Sequence, residues 1–253
     1  MTARTILITG GSGKFGKAMI NYFLAAGDRV LTTCRTIESR DELSKEYKSF
    51  GEVFNVIKVD LTEDNSIATL LDQLEFLNIQ PNCLVNNARS QKFLSIGQDG
   101  LVLRRNFISE YLLDVVIPYE LTMALVHQKN RQIQKVVNIG SQYGTVAANP
   151  SLYTDPVKQS PLHYGVAKAA LVHLTKELAV RLASKEIQVN CIAFGGVEGR
   201  VDKAFKERYA KLCPMGRMLR DDEVVGPVDM LLSDKCSGIT GHVLAVDGGW
   251  SIW

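Results

Sequence analysis

A tyrosine and a lysine stand four residues apart in the chain, at Tyr164 and Lys168. In a helix the two side chains share one face about one turn apart, so an ammonium group would sit beside a phenol. A unit charge about 4 Å away contributes roughly 4 kcal/mol at an effective dielectric of ~20. This is enough to lower the pKa of a phenol from near ~10 into the working range of a general acid and base. Together with Ser141, which could orient and polarise a carbonyl, the pair predicts proton-transfer chemistry.

The N-terminal residues predict the element that would position a cofactor beside this pair. A short β-branched run over residues 4–9 is followed by a glycine-rich turn and then by an amphipathic helix through Ala26. In that context backbone N–H groups and the helix N-terminus bind a pyrophosphate, although the same glycines could form only a tight turn. The candidate phosphate-binding residues are Gly10, Ser12, Gly13, Lys14, Phe15 and Gly16.

A second predicted strand covers residues 30–34, and Arg35 follows it directly. A carboxylate at this point would accept hydrogen bonds from the 2′-hydroxyl of NAD, whereas an arginine accommodates a 2′-phosphate. Arg35 therefore predicts NADP(H) as the cofactor, with Lys14 as a second cation that could reach the same phosphate. The alternative is that Arg35 is a solvated side chain after a strand.

Two further strand ends carry polar side chains suited to a nucleotide. Asp60 and Leu61 follow the third strand, where a short side chain can reach the adenine edge, and Asp60 could also cap the following helix. Asn87 and Ala88 follow the fourth strand, where asparagine amides can join neighbouring strand ends and face the ribose. Alternating strands and helices predict βαβ units, a parallel sheet, and a ligand at the carboxyl ends of the strands.

Asn106 stands inside a long apolar stretch, residues 101–126, that reads as a helix. Asparagine is a poor residue for a helix interior because its side chain competes for backbone hydrogen bonds, so Asn106 indicates a functional role. The alternative is that Asn106 is merely tolerated in a helix that is kinked near Pro118. The polar, proline-containing segment 142–163 predicts an active-site loop without strong secondary structure. A helix over residues 162–184 and a strand over residues 188–194 are expected to follow.

The C-terminal part carries a basic segment and an apolar tail. Between residues 203 and 220 six cations accompany the single acid Glu207, which is typical of a solvated helix face unless the segment folds over the site. We expect Pro227 to bend the first turns of the next helix. The tail contains Trp250 and Trp253, and we expect it to be buried against the domain or a partner subunit.

Composition limits the class of protein. With 253 residues and a formal net charge of +2, the chain predicts one α/β domain over residues 1–253 and no nucleic-acid or membrane-surface partner. Its five cysteines are widely spaced without a Cys-x-x-Cys pair, so they read as free thiols with no metal site. We find neither a signal peptide nor a long apolar run, and we expect the protein to be cytoplasmic.

Taken together, these motifs resemble the short-chain dehydrogenase/reductase family over essentially the whole chain. The resemblance rests on Thr9-Gly10 with Gly16, Asp60-Leu61, Asn86-Asn87-Ala88, Asn106, Ser141, Tyr164 with Lys168, and Val246-Asp247-Gly248-Gly249. It implies a Rossmann-like, doubly wound, parallel seven-stranded sheet with helices on both faces, and an NAD(P)(H)-dependent oxidoreductase that forms a homotetramer or homodimer.

The resemblance also implies a role for each member of the catalytic set. Tyr164 would be the acid and base, and Lys168 would lower its pKa and hold the nicotinamide ribose. Ser141 would bind the substrate oxygen, and Asn106 would hold a water in a proton relay.

Three residues depart from the family pattern. Lys14 stands in place of a glycine in the phosphate loop, Arg89 replaces the glycine of Asn-Asn-Ala-Gly and brings a cation near the nicotinamide, and Phe194 replaces a proline. Gly195 and Val197, which belong to the cofactor wall, remain. The loop before Tyr164 and the tail look similar to reductases of surface-polysaccharide and flagellin-sugar biosynthesis.

These features favour an oxidoreductase that acts on a small carbonyl or alcohol, specifically a polar sugar derivative carrying phosphate. One alternative is a 3-ketoacyl-thioester reductase that uses the basic segment to dock an acidic carrier protein. Another is a non-catalytic NADP(H)-binding regulator, although a binding module has no need of a proton relay.

Overall fold

Seven parallel strands form the centre of the molecule. The computed structural model describes residues 4–199 and 201–253. The strands are β1 (Thr5–Ile8), β2 (Arg29–Cys34), β3 (Phe54–Lys58), β4 (Cys83–Asn86), β5 (Lys135–Ile139), β6 (Gln188–Phe194) and β7 (Val243–Val246). Their order across the sheet is β3-β2-β1-β4-β5-β6-β7, and every neighbouring pair is parallel. The predicted seven-stranded, Rossmann-like fold is confirmed.

Helices connect the strands and cover both faces of the sheet. The α-helices are α1 (Lys14–Ala25), α2 (Ile37–Glu46), α3 (Ser66–Phe76), α4 (Arg104–Tyr111), α5 (Ile117–His127), α6 (Pro156–Gln159), α7 (Leu162–Leu182), α8 (Lys203–Leu212) and α9 (Val225–Leu232). The sheet reverses its winding between β1 and β4, because β2 and β3 lie on one side and β5 to β7 on the other. Ligands of doubly wound sheets bind at the carboxyl ends of the strands near such a reversal.

Alternate residues of the central strands supply two separate hydrophobic layers. Ile6 and Ile8 of β1 pack with apolar residues of α1 and α9, whereas Leu7 packs on the other face with residues of α3, α5 and α7. These residues are fully buried, as expected for parallel strands covered on both sides. A third, smaller cluster lies between α8 and the C-terminal tail.

The stretch predicted as one helix over residues 101–126 is helical without a break from Arg104 to His127, but it contains a π-helical segment. Helix α4 begins at Arg104, and a π-helical segment, Leu112–Val116, separates it from α5. Asn106 therefore lies in the first turn of α4 and not in a helix interior, so its low interior propensity carries no weight. The backbone is helical at Val116 and Ile117, so Pro118 lies in a continuous helix. Its missing N–H removes one interior hydrogen bond just after the π-helical segment, in agreement with the kink expected near Pro118.

Three other segments can be compared with their expectations. The loop before Tyr164 contains only the four-residue helix α6 and several 3₁₀ turns. Near Pro227, where we expected a bend, a 3₁₀ turn, Asp221–Val224, passes into α9 just before the proline. Trp250 is 5% exposed and therefore buried in the domain, whereas Trp253 is 78% exposed in the single chain and its burial against a partner subunit stays a prediction. No helix in the described part of the chain is both long enough and apolar enough to cross a membrane.

Candidate functional site

Ser141, Tyr164 and Lys168, which we call the proton-transfer centre, lie where β5 ends against α7. Ser141 is buried, and its Oγ accepts a hydrogen bond of 3.2 Å from the backbone N–H of Tyr143. The turn after it packs directly on α7, because a Cβ on Gly144 would lie 2.8 Å from the carbonyl oxygen of Lys168. Only glycine permits this approach, which holds the serine turn against the helix that carries the tyrosine and the lysine.

The ammonium of Lys168 is held by two acceptors inside the protein. Its Nζ donates to Asp114 Oδ1 at 2.9 Å and to the carbonyl oxygen of Ile139 at 2.8 Å, and it lies 5.7 Å from the centroid of the Tyr164 ring. Burial opposes the charged form, but the carboxylate of Asp114 and the nearby phenol outweigh it and raise the pKa of Lys168. The third ammonium proton remains for the phenol or a ribose hydroxyl.

The sequence argument treated Lys168 as an unpaired ammonium beside Tyr164, whereas in the structure it forms an ion pair with Asp114. The side chains of Lys168 and Asp114 are 7% and 2% exposed, so the two opposite charges face each other in a region from which water is largely excluded. The carboxylate cancels much of the field that the ammonium would otherwise exert on the phenol. The sequence argument missed Asp114, and the available signal was an acid inside the apolar run Leu112–Val116.

A second buried acid lies on α4 close to this pair. Glu110 is 1% exposed, and neither carboxylate oxygen has a hydrogen-bond partner among the described residues. Burial, followed by the negative charge of Asp114, raises the pKa of Glu110 to about 7, while Arg89 and Lys168 act in the opposite direction. Glu110 therefore changes its charge near neutral pH.

Arg89, the cation in place of the family's glycine, reaches the tyrosine. Its guanidinium carbon lies 4.5 Å from the centroid of the Tyr164 ring, a cation–π contact. The arginine is exposed and Tyr164 is half-buried. A positive charge that solvent can reach thus stands at the entrance of the proton-transfer centre.

A chain of buried amides connects the strand ends to α7. Asn86 Nδ2 donates to Asn138 Oδ1 at 2.8 Å, and Asn138 Nδ2 donates to Thr175 Oγ1 at 2.9 Å. All three residues are buried, so each bond is costly to break. The chain fixes α7 relative to β4 and β5. Sequence reasoning did not assign Asn138 or Thr175, and neither has a local motif that would reveal its role.

The strand ends beside the expected ribose are also joined by side chains. Thr9 Oγ1 accepts from the backbone N–H groups of Asn87 and Ala88, each at 2.9 Å, and Asn87 Nδ2 donates to the carbonyl oxygen of Thr9 at 2.8 Å. Gly10 has a φ of +74°, and a Cβ there would lie 2.9 Å from the Cα of Ala88. The glycine loop and the end of β4 are thus in close contact.

The N-terminus of α1 fits a phosphate group. Its N-cap Gly13 makes no side-chain cap, and the first turn contains no acid. The N–H groups at the start of a helix have no partner within it, so those of Lys14, Phe15 and Gly16 are available to an anion. Ser12 is exposed beside them.

The two cations expected around a 2′-phosphate behave differently. Arg35 is exposed at the end of β2, and no acid of residues 4–199 or 201–253 lies within ion-pair distance of it. Lys14 Nζ instead lies 2.6 Å from Asp221 Oδ1, in the turn before α9. Lys14 is therefore paired in this structure. Both side chains are exposed, at 37% and 56%, so the ion pair is weak and a contact of Lys14 with a cofactor phosphate stays a prediction.

Asp60 and Leu61 lie at the end of β3, as expected, but Asp60 does not cap α3. Its Oδ1 accepts from the backbone N–H and the hydroxyl of Thr62, at 3.0 and 2.7 Å. The N-cap of α3 is Asn65, without a side-chain cap. The carboxylate is partly exposed and Leu61 is buried.

Helix α8 and the tail support the far wall of the site. The Tyr209 hydroxyl accepts from the backbone N–H of Gly196 at 2.8 Å and lies 3.2 Å from Gln142 Oε1. Its ring stacks on Trp250 with centroids 4.4 Å apart. The turn itself is anchored by a bond from the N–H of Gly195 to the carbonyl oxygen of Val246 and by pairing of Val197 with Leu219. Tyr209 and Gln142 were not anticipated from the sequence.

The basic segment 203–220 folds beside the site, but most of its cations already have partners. Lys206 pairs with Glu198, and Lys203 lies 3.7 Å from Glu207. Arg208 donates to the carbonyl oxygen of Leu152, while Arg217 and Arg220 pair with acids at the start of the following turn. The segment therefore offers a substrate or carrier protein much less free positive charge than its composition indicates.

Within the described residues, no group of three or more histidine, cysteine, aspartate or glutamate side chains is arranged to hold a metal ion. The same residues contain five free cysteines, four of them buried.

The chain is similar to known oxidoreductases over nearly its whole length. A family described as enoyl-(acyl carrier protein) reductase matches residues 13–251. An uncharacterized short-chain type dehydrogenase/reductase of Sinorhizobium fredii is 30% identical over 98% of this chain, which spans 43% of that relative. The uncharacterized oxidoreductase YmfI of Bacillus subtilis is 30% identical over 98% of both chains.

Two relatives with more specific names are equally distant. Post-translational flagellin modification protein A of Campylobacter coli and a 3-oxoacyl-[acyl-carrier-protein] reductase of Aquifex aeolicus are each 27% identical, over 98% of both chains.

Solved structures of similar fold contain either dinucleotide. A short chain dehydrogenase of Leptospira borgpetersenii with bound NAD⁺ superposes with a TM-score of 0.85 at 29% identity, covering 98% of this chain and 93% of its own. The RhlG/NADP active-site complex of Pseudomonas aeruginosa gives 0.85 at 27% identity, with 99% and 97% coverage. The comparisons therefore do not distinguish the two cofactors.

Proposed function

Because the chain belongs to the short-chain dehydrogenase/reductase family of oxidoreductases, we propose that it interconverts a carbonyl and a secondary alcohol with NADP(H). The observation that carries the proposal is the proton-transfer centre, in which Ser141, Tyr164 and a charged, buried Lys168 converge at the carboxyl end of β5. A regulator that only binds a dinucleotide would not need a buried ammonium held at the end of this strand.

Each residue of the centre has a proposed task. Ser141 orients the substrate oxygen, and Tyr164 gives its phenolic proton to that oxygen during reduction or takes it back during oxidation. Lys168 holds a positive charge and a free N–H beside the phenol. Asn106 has both side-chain N–H groups directed at Ser95, so its Oδ1 is left to accept from a relay water. When bound, the nicotinamide supplies or accepts the hydride.

The residues at the strand ends fit a dinucleotide. The uncapped start of α1 would bind the pyrophosphate through Ser12, Gly13, Phe15 and neighbouring N–H groups. Asp60 and Leu61 would face the adenine. Asn87, Ala88, Gly195 and Val197 would line the nicotinamide side with Tyr164 and Lys168.

The preference for NADP(H) is proposed from Arg35. An exposed arginine without an ion pair is free to make charge-assisted hydrogen bonds with a 2′-phosphate, whereas a 2′-hydroxyl calls for an acceptor. No acidic side chain follows β2 directly, and the first acid of α2 is Glu38. Lys14 forms an exposed and therefore weak ion pair with Asp221, and we propose it as a second cation that can exchange this partner for the 2′-phosphate or the pyrophosphate.

We propose that the substrate is polar and carries an anionic group, as a sugar phosphate does. Arg89 supports this, because its guanidinium is exposed and lies over the ring of Tyr164, within reach of a substrate held there. The hydroxyls of Tyr143 and Tyr153 lie 3.0 Å apart in the loop before the tyrosine and add polar groups. The basic segment gives the proposal less support than its composition indicates, because four of its six cations form ion pairs with acids.

The rival substrate class is an acyl thioester. The name of the matching family favours it, as do those of several relatives that are 3-oxoacyl-[acyl-carrier-protein] reductases. Against it, four of the six cations expected to dock an acidic carrier protein form ion pairs with neighbouring acids.

We also propose a homodimer or homotetramer in a reducing, cytoplasmic compartment. Apolar side chains project from α4 and α7, with Ile108 60% exposed and Val180 79% exposed. Such a face is typical of a contact between subunits. The free cysteines agree with a reducing compartment.

The test is a turnover assay in both directions with NADPH and NADH. The substrates are phosphosugars and nucleotide sugars, neutral sugars and small carbonyls of similar size, and β-ketoacyl thioesters. The proposal expects turnover with NADPH, fastest for the phosphorylated compounds. Turnover of the thioesters alone would establish the rival, and tight dinucleotide binding without turnover of any compound would favour the regulator.

A further inference from the structure

Tyr209 of α8 is buried behind the candidate site and contacts two of its parts at once. One part is the turn that begins at Ser141, which we call the serine turn. The other is the turn after β6, residues 195–197, which we call the β6 wall. We propose that Tyr209 is a positioning residue, which fixes the serine turn relative to the β6 wall through a hydrogen bond to Gln142. The proposal rests on the proposed function, because it concerns the geometry of that same site.

The hydroxyl of Tyr209 joins the two parts directly. It accepts a hydrogen bond of 2.8 Å from the backbone N–H of Gly196 and donates one of 3.2 Å to Oε1 of Gln142, the residue after Ser141. A phenolic hydroxyl has one proton to donate and lone pairs with which to accept, so both bonds form together. Tyr209 and Gln142 are 1% and 3% exposed, so water has little access to either bond. A single buried oxygen atom thus connects the serine turn to the β6 wall.

The β6 wall lies so close to the phenol that it has no room for side chains. A Cβ on Gly196 would lie 2.7 Å from Cε2 of the Tyr209 ring and 2.9 Å from Cε of Met218. A Cβ on Gly195 would lie 2.9 Å from the Tyr209 hydroxyl and 2.8 Å from Cα of Asp247. Neither glycine has a positive φ, so the close approach of these neighbours, and not the backbone conformation, excludes a side chain. The two glycines let the hydroxyl reach the backbone of the β6 wall.

The ring of Tyr209 is itself held in place. It stacks on Trp250 with 4.4 Å between the ring centroids and an interplanar angle of 27°, and it shares a buried cluster with Leu152. Arg208, the preceding residue of α8, donates from Nε to the carbonyl oxygen of Leu152 at 2.7 Å. This bond ties α8 to the loop 142–163. The hydroxyl therefore has a fixed position from which it can hold the serine turn and the β6 wall.

The relative position of these two parts affects hydride transfer. In the proposed function Ser141 orients the substrate oxygen, while Gly195 and Val197 of the β6 wall line the nicotinamide side. A displacement of about 1 Å between reacting groups can lower a rate about a hundredfold, even when the mutated residue is far from the chemistry. Loss of the Tyr209 hydroxyl would release both parts and leave the proton donor Tyr164 unchanged. We therefore expect slower hydride transfer with an unchanged pH dependence.

Tyr209→Phe removes only the hydroxyl and keeps the ring stacked on Trp250. The rate of hydride transfer in a single turnover with NADPH, per NADPH-binding site, should fall about tenfold to hundredfold. KM and the dissociation constant of NADPH should change much less, and the pH profile should keep its midpoints. Tyr22→Phe is the matched control, since it removes an exposed hydroxyl that donates to Asp229 at 3.0 Å away from the site. Hydride transfer in Tyr209→Phe at the rate of this control would overturn the proposal.

Gln142→Leu tests the partner, because leucine is of similar size and has no acceptor. A link that is broken at one end is not broken further at the other, so the two substitutions should not be additive. We expect Tyr209→Phe to slow hydride transfer by less than about twofold when Gln142 is already replaced. If the two losses multiply instead, the bond to Gln142 is not the cause and the proposal fails.

Amide hydrogen exchange, followed by NMR with NADPH bound, measures the same link without turnover. In Tyr209→Phe the N–H groups of Gly196 and Tyr143 should exchange at least about tenfold faster, although Tyr143 N–H bonds to Ser141 and not to the phenol. The N–H of Asn87, at the end of β4, should keep its rate. An unchanged rate at Tyr143 would show that the phenol does not hold the serine turn.

The exchange measurement also separates this proposal from the proposed function. If the unmodified protein binds NADPH but turns over no carbonyl compound, the proposed function fails. The exchange rates at Gly196 and Tyr143 still decide whether Tyr209 fixes the serine turn relative to the β6 wall.

Discussion

The ammonium of Lys168 donates a 2.9 Å hydrogen bond to Asp114, and both side chains are almost completely buried. Removal of one partner would leave the other as an uncompensated buried charge, which is strongly destabilising. The lysine is therefore fixed in place before any ligand arrives, and its remaining proton has a defined direction. Predictions about catalysis must treat Tyr164, Lys168 and Asp114 as one unit.

Tyr164→Phe should abolish turnover and leave NADPH binding within about threefold of the unmodified protein. Only the transferable proton is lost, while the ring can keep its contact with the guanidinium of Arg89. Lys168→Ala should impair both turnover and cofactor binding, because it also leaves Asp114 unpaired. Steady-state kinetics and fluorescence titration with NADPH measure the two effects. Substantial activity in Tyr164→Phe would mean that another group supplies the proton.

Arg35→Asp should reverse the cofactor preference. Loss of charge-assisted bonds to the 2′-phosphate costs roughly 1.5–3 kcal/mol, and the new carboxylate repels the phosphate while accepting from a 2′-hydroxyl. The dissociation constants of NADPH and NADH, measured at the same salt concentration, give the answer. Arg181→Asp is a matched control, because Arg181 is exposed in the last turn of α7. Equal affinity of the unmodified protein for both dinucleotides would contradict the assignment.

Arg89→Ala should raise KM for phosphorylated substrates about tenfold or more, and should scarcely affect neutral carbonyls of the same size. An exposed ion pair with phosphate is screened by salt, so KM of the unmodified protein should also rise with ionic strength. Lys203→Ala serves as the comparison, because Lys203 is exposed and lies beside Glu207. If the two variants raise KM for phosphorylated substrates equally, Arg89 does not bind the substrate phosphate specifically.

Glu110→Gln should stabilise the fold at alkaline pH. The pKa of Glu110 is about 7 in the folded protein against an ordinary value of 4.5, so ionisation costs folding free energy as pH rises between these values. Above pH 7 the full cost is on the order of 3 kcal/mol, and below pH 4.5 it vanishes. Urea unfolding at pH 5 and pH 8 should show a gain for the variant mainly at pH 8. Equal effects at both values would exclude the buried carboxylate as the cause.

Local patterns were sufficient to predict most of the fold. Strand β6 has the predicted bounds, Gln188–Phe194, and helix α7 begins at Leu162 as expected. Pro161 precedes α7, and Gly195 and Gly196 follow β6, so residues that favour turns mark one boundary of each element. The proton-transfer residues could be named because their spacing on one helix is itself local information.

What the sequence could not reveal is how distant charges pair. Lys14 and Asp221 are more than two hundred residues apart, yet their side chains lie 2.6 Å from each other. Asp114, which pairs with Lys168, lies in a π-helical segment that the sequence pattern did not predict. The pairing of Arg217 with Glu223 could have been predicted from the sequence, because acids directly follow the basic segment. Tertiary contacts, and not residue types, decide which charges remain free to bind a ligand.

The two tryptophans of the tail should differ sharply in their effect on stability. Trp250 is buried and stacks on Tyr209, whose hydroxyl holds the turn at Gly196, whereas Trp253 is largely exposed and makes one bond to a backbone oxygen. Trp250→Ala should therefore lower the free energy of unfolding by roughly 3–5 kcal/mol, the cost of a large buried cavity.

Trp253→Ala should cost no more than about 1 kcal/mol in the monomer, the typical value of one net hydrogen bond. Denaturant unfolding gives the free energy of unfolding of both variants. It is measured below the protein concentration at which subunits associate. Because Tyr209 also supports Gln142 and the wall after β6, Trp250→Ala should weaken dinucleotide binding as well. Trp250→Phe, which keeps an aromatic ring on Tyr209, should recover most of both losses. A Trp253→Ala protein as unstable as Trp250→Ala would show that the end of the tail packs more tightly than its exposure indicates.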